Sequence, residues 1–409
     1  MKKIALLVVL VLLAGIMPLS CLALDENGKT KDDYVSLDSL AREYGFVMGA
    51  CYNYNHVKSN PAYLDFVKTH FSSITCTNET KAYSLLDQNK SKANKDGMPE
   101  MNYYQADKML AWAQENGLKV RGHVLVWDAY MNDWFFREGY DSKNPYADQE
   151  TIRARTRYYI DQVITHFEEN FPGVIYCWDV VNEAIGDNAK EWDNKDARHI
   201  RTIRSGKDNL FKTYMGDDYV EYSFLCAKDT VEKLGADIKL FYNDYNMFFP
   251  EKREAAIALA RSINSYAKDE NGNFRKLIDG MGMQGYIGGY GKQQDCMKDS
   301  HITRIETSIR LYGKEGLEVH ITEMAVRNFQ NDTETVALHA DFYGRLFEMF
   351  KEVNSGEEKP LTCVAIWGVT DNPTATGYNY NLLSPYGGLV TEKYQIKTAF
   401  DTVHKVLSE

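Results

Sequence analysis

Two apolar runs in this chain each deliver a glutamate, and a pair of carboxylates is a group that does chemistry. Tyr176-Cys177-Trp178-Asp179-Val180-Val181 leads into Asn182-Glu183, and Val319-His320-Ile321-Thr322 leads into Glu323. Runs of this kind read as strands enclosed on both faces. Two strands that each end in Glu suggest facing carboxylates. That is the apparatus of glycoside hydrolysis, in which one group handles the leaving-group proton and the other attacks or activates water. A single strand-end Glu is as readily a salt-bridged rim residue, so the elements around the two must decide.

Those elements alternate. After a polar lead-in and a short helix over 36–44, strands are expected at 46–50, 71–75, 119–126, the run ending at Glu183, 239–242, 281–284, 318–322 and 363–366. Helices are expected at 61–70, 103–116, 149–170, 217–234, 252–268, 302–312, 335–354 and 391–407. Gly117 and Gly235 read as helix stops. Eight strand–helix units, with no Pro-, Gly- or Ser-rich linker, predict an α/β fold: a single-domain (β/α)8 TIM barrel whose strand ends open onto the site. The pattern breaks longest over 186–217, directly after Glu183, and loops of that length usually carry function or mobility.

Composition narrows the class. A chain of 409 residues suits one barrel with insertions, and a net charge of −11 argues against a nucleic-acid partner. Its 28 tyrosines supply faces on which sugars stack, although Tyr also fills cores. Lys2-Lys3 precede an apolar run over 4–17 and small residues at 20–23, so residues 1–23 are expected to be a signal peptide cleaved near Ala23, leaving 24–409 as the catalytic domain. The run is too short for a membrane span, so no span is expected. Secretion is the expected destination. Pro18-Leu19-Ser20-Cys21 weakly resembles a lipoprotein signal, with Pro18 a poor fit, which leaves a lipid anchor at the cell surface as the alternative. The seven cysteines show no metal-ligand spacing, so no metal and no cofactor are expected. Cys51 with Cys76 is the pair to check for a disulfide, because both lie near the ends of consecutive strands.

Six stretches, in order, carry a resemblance: Arg121-Gly122-His123-Val124-Leu125-Val126-Trp127, Trp178-Asp179-Val180-Val181-Asn182-Glu183-Ala184, Asn243-Asp244-Tyr245-Asn246, Met281-Gly282-Met283-Gln284-Gly285, Ile321-Thr322-Glu323 and Ile366-Trp367-Gly368-Val369-Thr370-Asp371. Together they resemble the signature blocks of glycoside hydrolase family 10, chiefly endo-β-1,4-xylanases. The resemblance implies a retaining enzyme acting on xylan or xylo-oligosaccharides, with Glu183 as acid/base and Glu323 as nucleophile. It implies that Asn182 holds the sugar 2-hydroxyl, that His123 binds sugar, and that Trp127 and Trp367 wall the glycone (non-reducing) side. Asn78 and Lys81 match the polar floor of that side, and Gln284 a polar group beside the nucleophile. Asn243, Tyr245 and Asn246 match a cleft-facing turn. The plainer readings stay open beside these: a cap for Asn182, a core group for His123, Trp127 or Trp367, and a structural turn for Tyr245 and Asn246. A monomer is expected.

The departures from the family pattern are informative. Thr77, Ala82, Asp128 and Tyr130 stand where the family has Glu, an aromatic, His and Gln, and the stretch 372–377, including Ala375, lacks a second Trp. Tyr286 replaces a His that bonds the nucleophile, and Ala325 replaces the Asp that orients that His. The two changes go together, and a Tyr hydroxyl can still donate to Glu323. Altered glycone contacts leave open a related retaining β-glycanase or an oligosaccharide-trimming enzyme. A non-catalytic polysaccharide-binding protein is the alternative from another class, and the presence of both glutamates argues against it. Finally, Arg198, His199, Arg201, Arg204 and Lys207 cluster in the long loop. They read as a solvated charge run or, bordering the leaving-group side, as a contact for acid-bearing xylan branches.

Overall fold

The computed structural model describes residues 29–193, 195–288, 297–372 and 385–409. Eight parallel strands form the centre: β1 (Val47–Tyr52), β2 (Ser73–Cys76), β3 (Lys119–Gly122), β4 (Ile175–Asn182), β5 (Lys239–Asp244), β6 (Gly280–Met283), β7 (Glu318–Val326) and β8 (Leu361–Ile366). Each pairs with the next, and β8 pairs with β1 through Val47↔Cys363 to Ala50↔Ile366, so the sheet closes. Helices follow the strands: α1 (Pro61–His70), α2 (Tyr104–Glu115), α3 (Gln149–Asn170), α4 (Tyr219–Leu234), α5 (Pro250–Asn264), α6 (Asp299–Lys314), α7 (Thr333–Val353) and α8 (Thr398–Ser408). This is the (β/α)8 barrel, and it is one domain.

Local chemistry sets the helix ends. Asp148 and Asp332 accept hydrogen bonds from Thr151 N (2.8 Å) and Thr335 N (2.9 Å), starting α3 and α7. Pro61 and Pro250 stand at first helical positions, where the missing N–H costs nothing. Gly235 closes α4 in a left-handed conformation (φ 63°), a position that favours glycine. The helix expected over 252–268 stops at Asn264, whose Oδ1 accepts from Leu277 N (2.8 Å) and Ile278 N (3.2 Å) and turns the chain toward β6.

A polar layer crosses the barrel interior. Arg121 from β3 forms a bidentate ion pair with Asp179 from β4 and donates to His320 Nδ1 from β7 at 3.3 Å. The His320 ring stacks on Phe241 of β5 at 4.2 Å. Room for this layer comes from β6. A Cβ at Gly282 would stand 2.4 Å from Asn243 Oδ1 and 2.8 Å from Arg121 Nη2, so no larger residue fits.

Two irregularities decide where the site residues point. β4 carries an extra residue against β5 between Asp179 and Val181. β7 carries one against β8 between Ile321 and Met324. A bulge breaks the in–out alternation of a strand and re-aims the side chains beyond it. β7 also runs on past Glu323, because Ala325 and Val326 pair with Tyr286 and Ile287. β3 ends at Gly122 rather than continuing to 126, although Leu125 N and Val126 N still reach Asp179 O (3.1 Å) and Val180 O (2.9 Å).

The expected Cys51–Cys76 disulfide does not form: both are free, buried thiols. Register explains it. Cys51 lies beside Thr75 and Tyr52 beside Cys76, so the two sulfurs point to opposite faces of the sheet. Among the described residues no helix is long and apolar enough to cross a membrane, and no group of three His, Cys, Asp or Glu side chains could hold a metal. The expected leader (1–23) lies outside the described residues.

Candidate active site

At the carboxyl ends of the strands the two glutamates belong to one hydrogen-bonded chain. Gln284 Nε2 donates to Glu183 Oε1 (3.1 Å) and to Asn182 Oδ1 (3.3 Å). Asn243 Nδ2 donates to Asn182 Oδ1 (2.9 Å) and to Glu323 Oε1 (3.1 Å). Tyr286 donates its hydroxyl to Glu323 Oε2. Gln284 was expected beside Glu323; it stands on Glu183 instead, because it is the next inward position of β6 after Gly282.

The irregular strands make this possible. Thr322 and Glu323 are consecutive, yet Thr322 Oγ1 donates to Asn243 Oδ1 (2.6 Å) while Glu323 accepts from the same side chain. Regular alternation forbids that; the β7 bulge permits it. Asn182 and Glu183 likewise both face inward. Glu183 has φ 54°, a left-handed conformation that a non-glycine residue adopts at a cost of about 1 kcal/mol or more. Its backbone N donates to Asn243 O at 2.9 Å, which holds the turn.

Burial pushes the Glu183 carboxyl up to about 7; the Arg204 charge opposes this, while Asp244 and Glu323 add to it. Asp244 is itself raised by burial, against the pull of Lys252. A carboxyl with that value can hold a proton or release it near neutrality. Lys81 is lowered by burial, with Glu323, Glu183 and Glu79 pulling the other way. That ammonium feels the charge of both glutamates. It also touches Asn78 Oδ1 (3.2 Å) and lies 5.0 Å from the ring centres of Trp127 and Tyr130.

His123 is buried, and its Nδ1 meets Asp179 Oδ2 at 2.8 Å. Its ring stands edge-on between Trp127 (6.0 Å) and Trp367 (6.4 Å). Among the described residues, the donors Asn182 Nδ2, Trp127 Nε1 and Trp367 Nε1 are buried without a hydrogen-bond partner. Buried donors of this kind call for an acceptor, and three of them at the mouth of the barrel fit a ligand rich in hydroxyls. Asn182 does not act as a helix cap. The Tyr245 hydroxyl bonds Asp187 and accepts from Arg201 Nη2 (3.1 Å), while Lys252 covers its ring at 3.7 Å. It braces the loop after β4. Asn246 turns in the left-handed region (φ 57°) and makes no hydrogen bond to either glutamate among the described residues. The stretch around Ala375 lies outside the described residues.

The sequence reading missed the roles of Arg204 and Asp128. A short hairpin, Ile203–Arg204 against Lys207–Asp208, folds the long loop back over the site. Arg204 grips Asp128 with Nε (2.9 Å) and Nη2 (2.8 Å), and meets Glu183 Oε2 with Nη1 at 3.0 Å. Arg201 is buried and paired with Glu191 and Asp187. Both arginines are therefore engaged by protein carboxylates, and the expected contact with acid-bearing branches is corrected: neither offers a free fork. Asp128 stood out in the sequence as a departure, but nothing in the spacing tied it to Arg204.

The profile of glycosyl hydrolase family 10 matches residues 36–406. A protein of Caldicellulosiruptor saccharolyticus that carries the provisional name endo-1,4-beta-xylanase is 37% identical over 302 residues, 71% of this chain and 86% of its own length. Endo-1,4-beta-xylanase A of Thermotoga maritima is 32% identical over 76% of this chain, which corresponds to 26% of that longer protein. Among solved structures, the N-terminal modules of endo-1,4-beta-D-xylanase 10B of Clostridium thermocellum, complexed with xylohexaose, superpose with a TM-score of 0.75 at 25% identity, covering 92% of this chain and 68% of that one. With the barrel, the two strand-end glutamates and a profile match along nearly the whole length, the chain belongs to glycosyl hydrolase family 10.

Proposed function

We propose that the protein is a retaining endo-β-1,4-xylanase, with Glu183 as acid/base and Glu323 as nucleophile. The observation that carries this reading is the hydrogen-bonded chain Glu183–Gln284–Asn182–Asn243–Glu323, which fixes two carboxyls in unlike surroundings. Unlike surroundings are what the two roles require. Glu323 attacks the anomeric carbon and forms a glycosyl ester, while Glu183 gives its proton to the departing glycosidic oxygen. Glu183, now ionised, then takes a proton from water as that water displaces Glu323. Asn182 Nδ2 is the free donor for the sugar 2-hydroxyl, a bond that tightens in the transition state. Lys81, Asn78 and His123 supply polar contacts on the glycone side, and Trp127 and Trp367 supply ring faces and indole N–H groups that have no partner among the described residues. Relatives named as xylanases, one of them solved with xylohexaose, support xylan as the substrate class.

The test is a panel of xylan, mixed-linkage glucan, cellulose and mannan, with product anomers followed by NMR. Cleavage of xylan with first-formed β-anomers is the expected result. Inversion, or preference for another polymer, would overturn the reading. We also propose that the protein is a secreted monomer with residues 1–23 as its leader, which N-terminal sequencing of secreted protein and size-exclusion chromatography test.

A further inference from the structure

We propose that Arg204, held by Asp128, is a positioning residue that orients the Glu183 carboxyl and sets the pH at which it gives up its proton. This rests on the reading of Glu183 as acid/base.

The geometry is specific. Nε and Nη2 of Arg204 close a fork on Asp128 at 2.9 and 2.8 Å. The remaining donors point at Glu183: Nη1 reaches Oε2 (3.0 Å) and Nη2 reaches the backbone O (2.7 Å). One guanidinium therefore fixes the side chain and the main chain of the same residue, at the point where that main chain holds its left-handed turn. With Gln284 on Oε1, both carboxyl oxygens are engaged and the group has one orientation. A planar fork held at one end by a carboxylate can do this, and a lysine cannot.

The placement depends on the hairpin that carries Arg204, and that hairpin is tied down. Arg201 N donates to Ala184 O (2.7 Å), Thr202 N to Glu191 O (2.6 Å), and Asn209 Nδ2 to Arg201 O (3.0 Å). Asp128 arrives separately, from the segment after β3. The pair is thus assembled from two loops on either side of the acid.

Other charges also act on Glu183. Asp244 from β5 and Glu323 from β7 favour its protonated form, Lys81 after β2 favours the ionised form, and Tyr286 stays neutral because burial keeps its phenol high. Arg204 is the strongest influence opposing burial. Asp128 tempers it, since a paired guanidinium projects less charge than a free one.

Two substitutions should therefore move the pH profile in opposite directions. A general acid works when protonated, so kcat/KM on xylan falls as pH rises through its pKa, and that limb reports the free enzyme. Arg204→Met should carry the alkaline limb up by about one pH unit, from loss of an opposite charge in contact. Asp128→Asn should carry it down, because Arg204 then acts unopposed. Arg204→Lys should fall between wild type and Arg204→Met. All three are compared with wild type for thermal midpoint, so that a misfolded variant is recognised, and Arg204→Lys keeps the test open if Arg204→Met does not fold. Each is assayed also on an aryl xyloside with a good leaving group, whose first step needs no acid; there the alkaline limb should not follow the substitutions. A folded Arg204→Met or Arg204→Lys that loses rate with the wild-type limb would overturn the proposal. Glu183→Gln is the control for the underlying reading. If it cleaves xylan normally, that reading fails; if it loses xylan but spares formation of the glycosyl-enzyme from the activated substrate, only the Arg204 arm is at issue.

Discussion

Tyr286 donates its hydroxyl to Oε2 of Glu323, and it does so from beside Ala325, its neighbour across the parallel pairing that extends β7. The small Ala325 leaves the phenol ring its place. A charge-assisted hydrogen bond of this kind holds the carboxylate in one place and contributes about 1.5–3 kcal/mol. In Tyr286→Phe, kcat/KM on xylan should therefore fall by about ten- to a hundredfold, with the thermal midpoint close to wild type. Wild-type kcat/KM in the folded variant would show that the hydroxyl does not hold Glu323 for attack.

The two glutamates should respond differently to removal. Glu323→Ala takes away the attacking atom, so turnover on every substrate should fall by about 10⁴-fold or more, the scale seen when a nucleophile is deleted. Added azide should restore cleavage of activated substrates and give the inverted product. Glu183→Ala should cost far less on substrates with a good leaving group than on xylan. Normal activity in purified Glu323→Ala would remove it from the mechanism.

Protonation of Glu183 is linked to stability. Its carboxyl lies at about 7 in the folded protein, raised by burial from the ordinary 4.5. Between those values the folded state holds a proton that the unfolded chain has lost, so this group's contribution falls as pH rises through the window. Above 7 the full cost applies, on the order of 3 kcal/mol. Glu183→Gln removes it. Urea unfolding should show the variant gaining stability over wild type at pH 8 and gaining little at pH 4. An equal difference at both pH values would contradict the linkage.

The Arg121–Asp179 pair is buried to within 1% of full enclosure. Asp179→Asn would leave a guanidinium inside the barrel without its carboxylate and would also release His123 Nδ1 from its partner. Breaking one half of a buried pair costs about 3–5 kcal/mol. A fall of that size in the urea unfolding free energy, with weaker xylan binding through the loosened His123, is the expected outcome. A variant as stable as wild type would show that Asn182, Gln284 and the rest of the mouth do not depend on this layer.

Much of the fold was legible because its signals are local. Apolar runs of strand length, alternating with capped helices, specify the barrel through side-chain patterning, and the strand ends then specify which residues line the mouth. Element boundaries were less legible where tertiary contacts extend or cut a strand. β7 outlasts its apolar core because Tyr286 and Ile287 pair with it. α5 ends early because the Asn264 side chain caps the following chain.

What the sequence by itself determined is the type and order of the chemistry: Glu183 after Asn182 on one strand, Glu323 on another, indole and imidazole side chains just past the ends of two more, and the family pattern that links them. What only the tertiary structure decided is how those groups face one another. The bulge in β7 turns Thr322 and Glu323 to the same side, and the left-handed turn at Glu183 does the same for Asn182 and Glu183. Gln284 donates to Glu183, and Tyr245 is tied to the loop after β4 through Arg201. Arg204 and Asp128 lie 76 positions apart and meet only because two loops fold over one acid. One-dimensional spacing carries periodicity along an element, but it carries no information on register shifts between strands or on where an irregular loop returns, and those two things set the electrostatics of Glu183.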